Sequence, residues 1–356
     1  MSAEKWDVGI LGATGMVGQQ LVRRLDSHPW FRLAWVAASE RSEGRRYGDT
    51  PWLLGGGTPA YARDLQIEKP VPGRAPQVLF SALDAEAAGH YEHLFAEAGH
   101  LVISNARPHR LADDVPLLIP EVNADHLALL PAQQAARGWT GAVVTNPNCS
   151  TVFLALVLAA CRPFSPRRVL VTTFQAASGA GHPGVASWDL LGNVVPFIEG
   201  EEEKIETETK KILGTLAGAS VAPAPVAISA QAARVPVLDG HTEAISVEFD
   251  DAPDAAGLLA ALEGFRGLPP DIVLPSAPAA PIIHLAERDR PQPRLDAHRG
   301  DGMAVCVGRV RPCPVLDYKL VALGHNTIRG AAGAAILNAE LLAARGWIGG
   351  GALSWS

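Results

Sequence analysis

The stretch WDVGILGATGMVGQQLVRRL, residues 6–25, joins a short apolar segment, a glycine-rich turn and a helix-forming segment. This order indicates a buried strand, a tight turn and a helix. Gly12, Gly15 and Gly18 form the pattern G-x-x-G-x-x-G. Glycines there let the backbone approach a pyrophosphate at the helix N-terminus, where the helix dipole and free N–H groups favour anions. Such turns also occur for packing alone, but the flanking strand and helix favour a dinucleotide-binding fold.

The alternation of strands and helices continues to about residue 148. A helix is predicted at residues 85–99, and further buried strands are predicted at residues 31–39, 77–83 and 101–105. Strands that alternate with helices indicate a parallel, doubly wound sheet. We therefore predict an α/β protein in which residues 1–148 form a Rossmann-type dinucleotide-binding domain.

The chain changes character after residue 148. Longer β-branched, alternating segments predict strands, and these lie at residues 167–178, 240–250 and 302–312. Helices are predicted at residues 199–214 and 326–344, and the proline-rich residues 251–300 are expected to form irregular connections. We predict that residues 149–325 form an α+β domain with a mixed sheet. Residues 326–346 would complete the first domain, and residues 347–356 would form a loose tail.

The composition excludes several classes of protein. The formal net charge is −7, which argues against binding to nucleic-acid phosphates. The longest unbroken apolar run, residues 152–161, is too short to span a bilayer. The four cysteines contain no C-x-x-C pair and no signal peptide is evident, so we expect a cytoplasmic protein with reduced thiols. His90 and His93 share a predicted helix face without a third ligand, so no metal site is expected.

The end of the second predicted strand bears on the choice of dinucleotide. An acid there usually binds the ribose 2′-OH of NAD, whereas a basic residue accommodates the 2′-phosphate of NADP. The sequence offers both Glu40 and Arg41, flanked by Ser39 and Ser42. Two hydroxyls and a guanidinium would hold a 2′-phosphate, but Glu40 would repel it if it pointed inward. We favour NADP, and NAD stays open.

The stretch NPNCSTVFLALVLAAC, residues 146–161, places Cys149 directly before an apolar run. A thiol at a helix N-terminus lies near unpaired N–H groups and the positive end of the helix dipole. Both stabilise the thiolate, which is the nucleophilic form. The alternative is a cysteine that only begins a buried helix.

Six motifs in order resemble the aspartate-β-semialdehyde dehydrogenases, nearest the archaeal and fungal branch. They are GATGMVG (12–18), NPNCST (146–151), TTFQAASGAG (172–181), EEEKIETETKKILG (201–214), RVPVLDGHTE (234–243) and NTIRGAAGAAILNAELL (326–342), and IPEVN (119–123) marks the branch. The resemblance implies NADPH-dependent reductive dephosphorylation of β-aspartyl phosphate to aspartate β-semialdehyde and phosphate. This reaction serves the biosynthesis of lysine, threonine, methionine and isoleucine. A thioester on the cysteine would accept the hydride that an acyl phosphate does not.

The resemblance also implies roles for the residues at the reacting carbon. Cys149 would be the nucleophile, and Asn148 would assist its backbone N–H in stabilising the oxyanion. Gln175 would orient the substrate near the thiol, and His241 would be the acid–base residue. Arg234 would hold the substrate carboxylate through two parallel hydrogen bonds.

The other two charged groups of the substrate need their own partners. The resemblance assigns the ammonium to Glu201 and the phosphate to Lys204 and Arg110, with Arg107 as a competitor for the last role. Glu201 and Lys204 lie three residues apart, on one face of the predicted helix. The next two glutamates of that helix are expected to be solvated, as charge runs on helices usually are.

The cofactor contacts follow from the same motifs. Asn326 would contact the nicotinamide half, although it is also a plausible helix N-cap. The full predicted set is Gly12, Ala13, Thr14, Gly15, Met16, Val17, Ser39, Arg41, Ser42, Ser81, Ser178, Gly179 and Asn326.

The sequence leaves two other functions open. A malonyl-CoA reductase would keep Cys149 and His241 but have less need of Glu201. A catalytically silent binding subunit would have no reason to keep the set of catalytic residues. The second half also resembles the family's dimerisation module, so we expect a homodimer, with a homotetramer as the alternative.

Overall fold

The first half of the molecule is a parallel sheet flanked by helices. The computed structural model describes residues 5–269 and 271–349. The strands are β1 (Trp6–Leu11), β2 (Phe31–Ala37), β3 (Ile67–Glu68), β4 (Val78–Ser81), β5 (Leu101–Ser104) and β6 (Ala142–Thr145). The helices are α1 (Met16–Leu25), α2 (Ala85–Glu97), α3 (Pro120–Asn123) and α4 (Leu130–Arg137). The strand order β3-β2-β1-β4-β5-β6 is that of a Rossmann-type sheet, which confirms the predicted fold class.

The glycine turn connects β1 to α1. Each of its three glycines is required, or left open, for a different steric reason. Gly12 has a φ of +78°, and a Cβ there would lie 2.6 Å from the backbone oxygen of Ala82. A Cβ on Gly18 would lie 2.3 Å from the backbone oxygen of Gly12, so Gly18 lets the helix pack against the turn. A Cβ on Gly15 would meet only that same oxygen, at 3.6 Å. Gly15 therefore leaves open space in front of the helix N-terminus.

The second half is built on a mixed sheet. Its strands are β7 (Pro166–Gln175), β10 (Ala227–Arg234), β11 (His241–Phe249), β12 (Ile282–Leu285), β13 (Val305–Pro312) and β14 (Tyr318–Gly324), while β8 (Thr215–Ala217) and β9 (Ser220–Ala222) form a separate hairpin. The order is β10-β7-β11-β14-β13-β12. The two outer pairs are parallel and the inner pairs are antiparallel, which confirms the predicted mixed sheet.

One helix of the second half, α5 (Cys149–Ala160), is buried on every side. The other helices of this half are α6 (Ser187–Leu190), α7 (Glu201–Leu213), α8 (Ala255–Gly264) and α9 (Pro293–Asp296). Helix α5 is apolar all round, which is typical of a helix enclosed by other elements, and it packs against α7, β11 and β14. This burial fixes the position of Cys149 at its N-terminus.

The final helix differs from the prediction of one continuous helix over residues 326–344. A π-helical segment (Ile328–Ala332) precedes α10 (Gly333–Ala344). A Cβ on Gly330 would lie 2.6 Å from the Cβ of Cys149. The widened turn therefore carries backbone directly past the cysteine. Beyond it, α10 packs with the strands of the first half, where Ile336 and Leu341 join the core of β1 and β5.

The observed boundaries of other elements also differ from the predicted ones. Residues 251–300 are not only irregular, because they contain α8, β12 and α9. Strand β7 ends at Gln175, and a short 3₁₀ turn (Ala177–Ala180) follows where the strand was predicted to continue. Most of the predicted loose tail, from residue 350 onward, lies outside the described residues. Over the part of the chain that is described, none of the helices has the length and apolarity needed to cross a membrane.

We predict that Gly18→Ala lowers the melting temperature, although alanine usually favours a helix by about 1 kcal/mol over glycine. The added Cβ would overlap the backbone oxygen of Gly12, so the turn must shift. Thermal unfolding without added dinucleotide measures the effect.

Gly15→Ala is the matched control. Its Cβ meets no short contact within the chain, so we expect a nearly unchanged melting temperature but weaker NADP binding, because the methyl group fills space in front of α1. Equal melting temperatures for the two variants would contradict the packing role of Gly18.

Candidate active site

A cleft of about 800 Å³ lies where the two halves of the chain meet. Met16 and Val17, from the first turn of α1, line it. Cys149 lines it as well, together with the charged side chains of Glu201 and Arg234. The predicted dinucleotide turn and the predicted nucleophile therefore face one continuous space.

Cys149 begins α5 beside a well-formed cap. The side-chain oxygen of Asn148 accepts hydrogen bonds from the backbone N–H groups of Ser150 (3.0 Å) and Thr151 (3.3 Å). Burial and, to a smaller extent, the charge of Glu201 together raise the pKa of the Cys149 thiol to about 12, against the lowering effect of Arg110, Arg234 and the backbone N–H of Ser150. The thiol is thus the dominant form at neutral pH, contrary to the expected thiolate.

The carboxylate of Glu201 joins several predicted site residues. It accepts hydrogen bonds from the side-chain amides of Asn148 (2.8 Å) and Gln175 (3.0 Å) and pairs with the ammonium of Lys204 at 2.8 Å. Burial raises its pKa, but Lys204 and the two amides outweigh burial and hold the pKa of Glu201 below its usual range. The side-chain amide of Asn148 is therefore held by the carboxylate of Glu201.

His241 and Arg234 lie on the other side of Gln175. The Nδ1 atom of His241 accepts a hydrogen bond from the backbone N–H of Ala176 at 3.0 Å, and Arg234 donates to the backbone oxygen of Ala176 at 2.9 Å. Burial, and then the charge of Arg234, lowers the pKa of His241 to about 3. The ring is therefore neutral with its proton on Nε2. A Cβ on Gly179 would lie 3.0 Å from that nitrogen and 2.7 Å from Arg234 Nη1, so only glycine fits there.

The two candidate phosphate arginines have different surroundings. Arg110 is buried, donates to the backbone oxygen of Asn105 at 2.6 Å and pairs with Glu208 at 3.0 Å. Arg107 is exposed. Both line the cleft, as Lys204 does. The geometry thus leaves both arginines as candidates for the phosphate contact.

Asn326 lines the cleft and is hydrogen-bonded to two residues of the second half. Its side-chain oxygen accepts a hydrogen bond from the backbone N–H of Gly240, and its amide donates to the hydroxyl of Ser178, both at 2.8 Å. Neither atom caps the helical turn that follows, so the N-cap alternative is wrong. Asn326, Ser178 and Gly179 all line the cleft.

The remaining predicted cofactor residues lie at three other places. Gly12, Ala13, Thr14 and Gly15 form the turn before α1, and Ser81 is buried at the end of β4. Ser39 and Arg41 are exposed in the turn after β2, which a hydrogen bond from the Ser42 N–H to the Ser39 oxygen closes at 2.9 Å.

The charged helix α7 is more buried than its sequence suggested. Glu202 was expected to be solvated, but its carboxylate accepts a hydrogen bond from the backbone N–H of Ala232 at 3.0 Å, on the edge strand β10. Glu203 is exposed, as expected. Sequence reasoning also missed Glu208 and Lys211. The sequence carries one sign of their burial. Both lie at helical spacing from the apolar residue Ile205, which places them on the inward face of α7.

A buried ion pair supports the turn beside Cys149. Arg329, in the π-helical segment, pairs with Glu121 of α3 at 2.9 Å, and both side chains are about 1% exposed. These residues belong to the motifs NTIRG and IPEVN. The pair therefore links the two motifs and anchors the segment whose Gly330 lies against Cys149.

The chain matches known proteins over nearly its whole length. Residues 7–130 match the family described as semialdehyde dehydrogenase, NAD binding domain, and residues 158–329 match semialdehyde dehydrogenase, dimerisation domain. An aspartate-semialdehyde dehydrogenase of Archaeoglobus fulgidus is 48% identical over 95% of this chain and 98% of the relative. The one of Saccharomyces cerevisiae is 42% identical over 97% of this chain and 100% of the relative.

The similarity extends to solved structures. The crystal structure of the Candida albicans aspartate semialdehyde dehydrogenase with NADP is 40% identical, covers 96% of this chain and 100% of its own, and has a TM-score of 0.89. A Vibrio cholerae aspartate semialdehyde dehydrogenase II is 27% identical with a TM-score of 0.76, over 96% of this chain and 99% of its own. The chain belongs to the aspartate-semialdehyde dehydrogenase family.

Proposed function

We propose that this cleft converts β-aspartyl phosphate to aspartate β-semialdehyde and phosphate through a thioester on Cys149. The chain is an NADP-dependent oxidoreductase of its family, whose reaction serves the biosynthesis of aspartate-family amino acids. One observation carries the assignment of the site. A single cleft holds a cysteine at a helix N-terminus, an open glycine turn and paired side-chain charges opposite in sign to those of the substrate.

The described residues fit NADP. Helix α1 has no side-chain cap, and Gly15 leaves open space before it, so the N–H groups of Met16 and Val17 would hold the pyrophosphate. Bound NADPH supplies the hydride that reduces the thioester. The nicotinamide half would contact Ser178, Gly179 and Asn326, and the 2′-phosphate would contact Ser39, Arg41 and Ser42.

The acyl transfer needs a bond to form and another to break at one carbon. The sulfur of Cys149 attacks the carbonyl carbon, and the bond from that carbon to the phosphate oxygen breaks. Since the pKa of the thiol is about 12, its proton must leave during the attack. The departing phosphate is a basic oxygen anion and accepts that proton, so the products are a thioester and hydrogen phosphate.

His241 serves this reaction as a hydrogen-bond donor. The Ala176 N–H occupies Nδ1, which places the single ring proton of the neutral histidine on Nε2. No hydrogen-bond partner for Nε2 is found among the residues the structure describes. A donor in such a buried position stabilises negative charge on the carbonyl oxygen when the tetrahedral centre forms. This role replaces the general-base role expected from the sequence.

The pairing of Glu201 with Lys204 suits a substrate that carries both charges. The substrate ammonium replaces Lys204 at the carboxylate, which frees the Lys204 ammonium for the phosphate. Arg110 adds a second cation at the phosphate, and the guanidinium of Arg234 holds the α-carboxylate. Each ionic group that the substrate brings into the cleft then has a partner, which limits the cost of its desolvation.

We further propose that the enzyme is a cytoplasmic homodimer. Apolar side chains are exposed on the outer face of the second-half sheet, where Leu170 and Phe174 of β7 are 50% and 39% exposed. Leu238, in the loop before β11, is 82% exposed. A second copy of this chain would cover these residues, in keeping with the dimerisation domain that the family model describes.

We predict that Cys149→Ser lowers kcat more than about a thousandfold, because a hydroxyl is a far weaker nucleophile than a thiol here. The assay follows NADP reduction in the reverse direction with aspartate semialdehyde and phosphate. Mass spectrometry of the native enzyme with substrate should show an acyl adduct on Cys149.

Cys161→Ala is the control, because Cys161 is buried at the other end of α5. It should keep most of the activity. If the enzyme turned over malonate semialdehyde with CoA but did not turn over aspartate semialdehyde with phosphate, a malonyl-CoA reductase would be favoured instead. Loss of activity only in the Cys161 variant would refute the assignment of the nucleophile.

We predict opposite KM effects for two charge variants in the same reverse assay. Lys204→Met should raise the KM for phosphate about tenfold or more and change the KM for the semialdehyde less. Arg234→Leu should do the reverse, because it leaves the substrate carboxylate without its partner. Parallel changes in both KM values for either variant would argue against separate subsites.

We predict that Arg41→Ala weakens NADP binding about tenfold or more and leaves NAD binding nearly unchanged. The variant loses a charge-assisted contact to the 2′-phosphate. Arg45→Ala, an exposed arginine four residues on, is the control. Titration calorimetry with both dinucleotides gives the comparison, and an equal loss for NAD would show that Arg41 is only a surface charge.

A further inference from the structure

Glu208 takes no direct part in the reaction above, yet it is buried between two parts of the site. Its side chain is 1% exposed. One carboxylate oxygen accepts a hydrogen bond from the backbone N–H of Asn148 at 2.6 Å. The other accepts from the guanidinium of Arg110 at 3.0 Å. A single carboxylate therefore links Asn148, the residue before Cys149, to Arg110, an arginine that lines the cleft.

The segment that carries Arg110, residues 105–115, is held by α7 at a second point. The ammonium of Lys211 donates to the backbone oxygens of Arg110 (2.9 Å), Ala112 (2.6 Å) and Val115 (2.8 Å). Arg110 itself donates to the backbone oxygen of Asn105. We call residues 105–115 the phosphate arm. Its conformation depends on two charged side chains of α7, because Lys211 donates to three of its carbonyl oxygens and Glu208 accepts from the guanidinium of Arg110.

Helix α7 presents two kinds of residue to the site. Glu201 and Lys204, near its start, line the cleft. Glu208 and Lys211 follow at helical spacing on the same buried face and reach the phosphate arm. One rigid helix thus sets the positions of the charged side chains in the cleft and of the arm that carries Arg110.

We propose that Glu208 is a positioning residue for phosphate, which fixes Arg110 relative to the turn that carries Cys149. The inference rests on the proposed function, in which Arg110 contacts the phosphate. A carboxylate has two acceptor oxygens and satisfies both donors at once. A neutral amide has one acceptor oxygen, so its NH₂ group would face either Arg110 or the Asn148 N–H without a bond. The charge and the second acceptor are both required.

The test is Glu208→Gln in the reverse reaction. We expect the KM for phosphate to rise about tenfold while the KM for the semialdehyde changes less than about twofold. A purely structural defect lowers the amount of folded enzyme and hence the apparent kcat, but it does not separate the two KM values. Glu203→Gln is the matched control, since Glu203 is an exposed glutamate of the same helix, and it should behave as the unmodified enzyme.

A double-mutant cycle identifies the partner through which Glu208 acts. In an Arg110→Met background, Glu208→Gln should leave the KM for phosphate within about twofold, because its partner has already been removed. A full tenfold effect in that background would overturn the proposal, as would equal changes in both KM values of the single variant. If the unmodified enzyme showed no phosphate-dependent oxidation of the semialdehyde, the proposed function itself would fail.

Discussion

The burial of one carboxylate, that of Glu201, determines how the site is arranged. A buried charge is costly unless hydrogen bonds and an opposite charge surround it. Asn148, Gln175 and Lys204 supply these from the start of α5, the end of β7 and the first turn of α7. The three elements must therefore meet at one point, and that point lies in the cleft that Cys149 lines.

The electrostatic balance at this point explains the state of the reacting groups. The thiol of Cys149 is protonated and the ring of His241 is neutral, since burial disfavours charge on both. In the proposed function, the charges that move are instead those of the paired Glu201 and Lys204, which the ammonium and phosphate of the substrate would separate. The chemistry then begins from neutral groups in a cleft whose charges are already matched, and binding need not leave any of them uncompensated.

Local signals were sufficient for part of this arrangement and insufficient for the rest. The glycine turn and the apolar run after Cys149 predict a Rossmann-type sheet and a buried helix because they depend on neighbours in sequence. Glu202 could not be separated from a solvated glutamate, because its partner, Ala232, is distant in the chain. The helical spacing from Ile205 indicated only that Glu208 faces inward, and its partner, Arg110, is also distant in the chain. The N-cap alternative for Asn326 failed for a similar reason, since its bond to Gly240 exists only after the sheet forms.

The return of α10 to the first half has a consequence for synthesis of the chain. Its apolar residues, such as Ile336 and Leu341, pack in the core that begins with β1 and β5. A ribosome finishes the parallel sheet nearly two hundred residues before it makes this helix. Until then the nascent chain exposes apolar surface that α10 later covers, a condition that favours aggregation. The nucleotide-binding half is thus among the first parts to be made and the last to become complete.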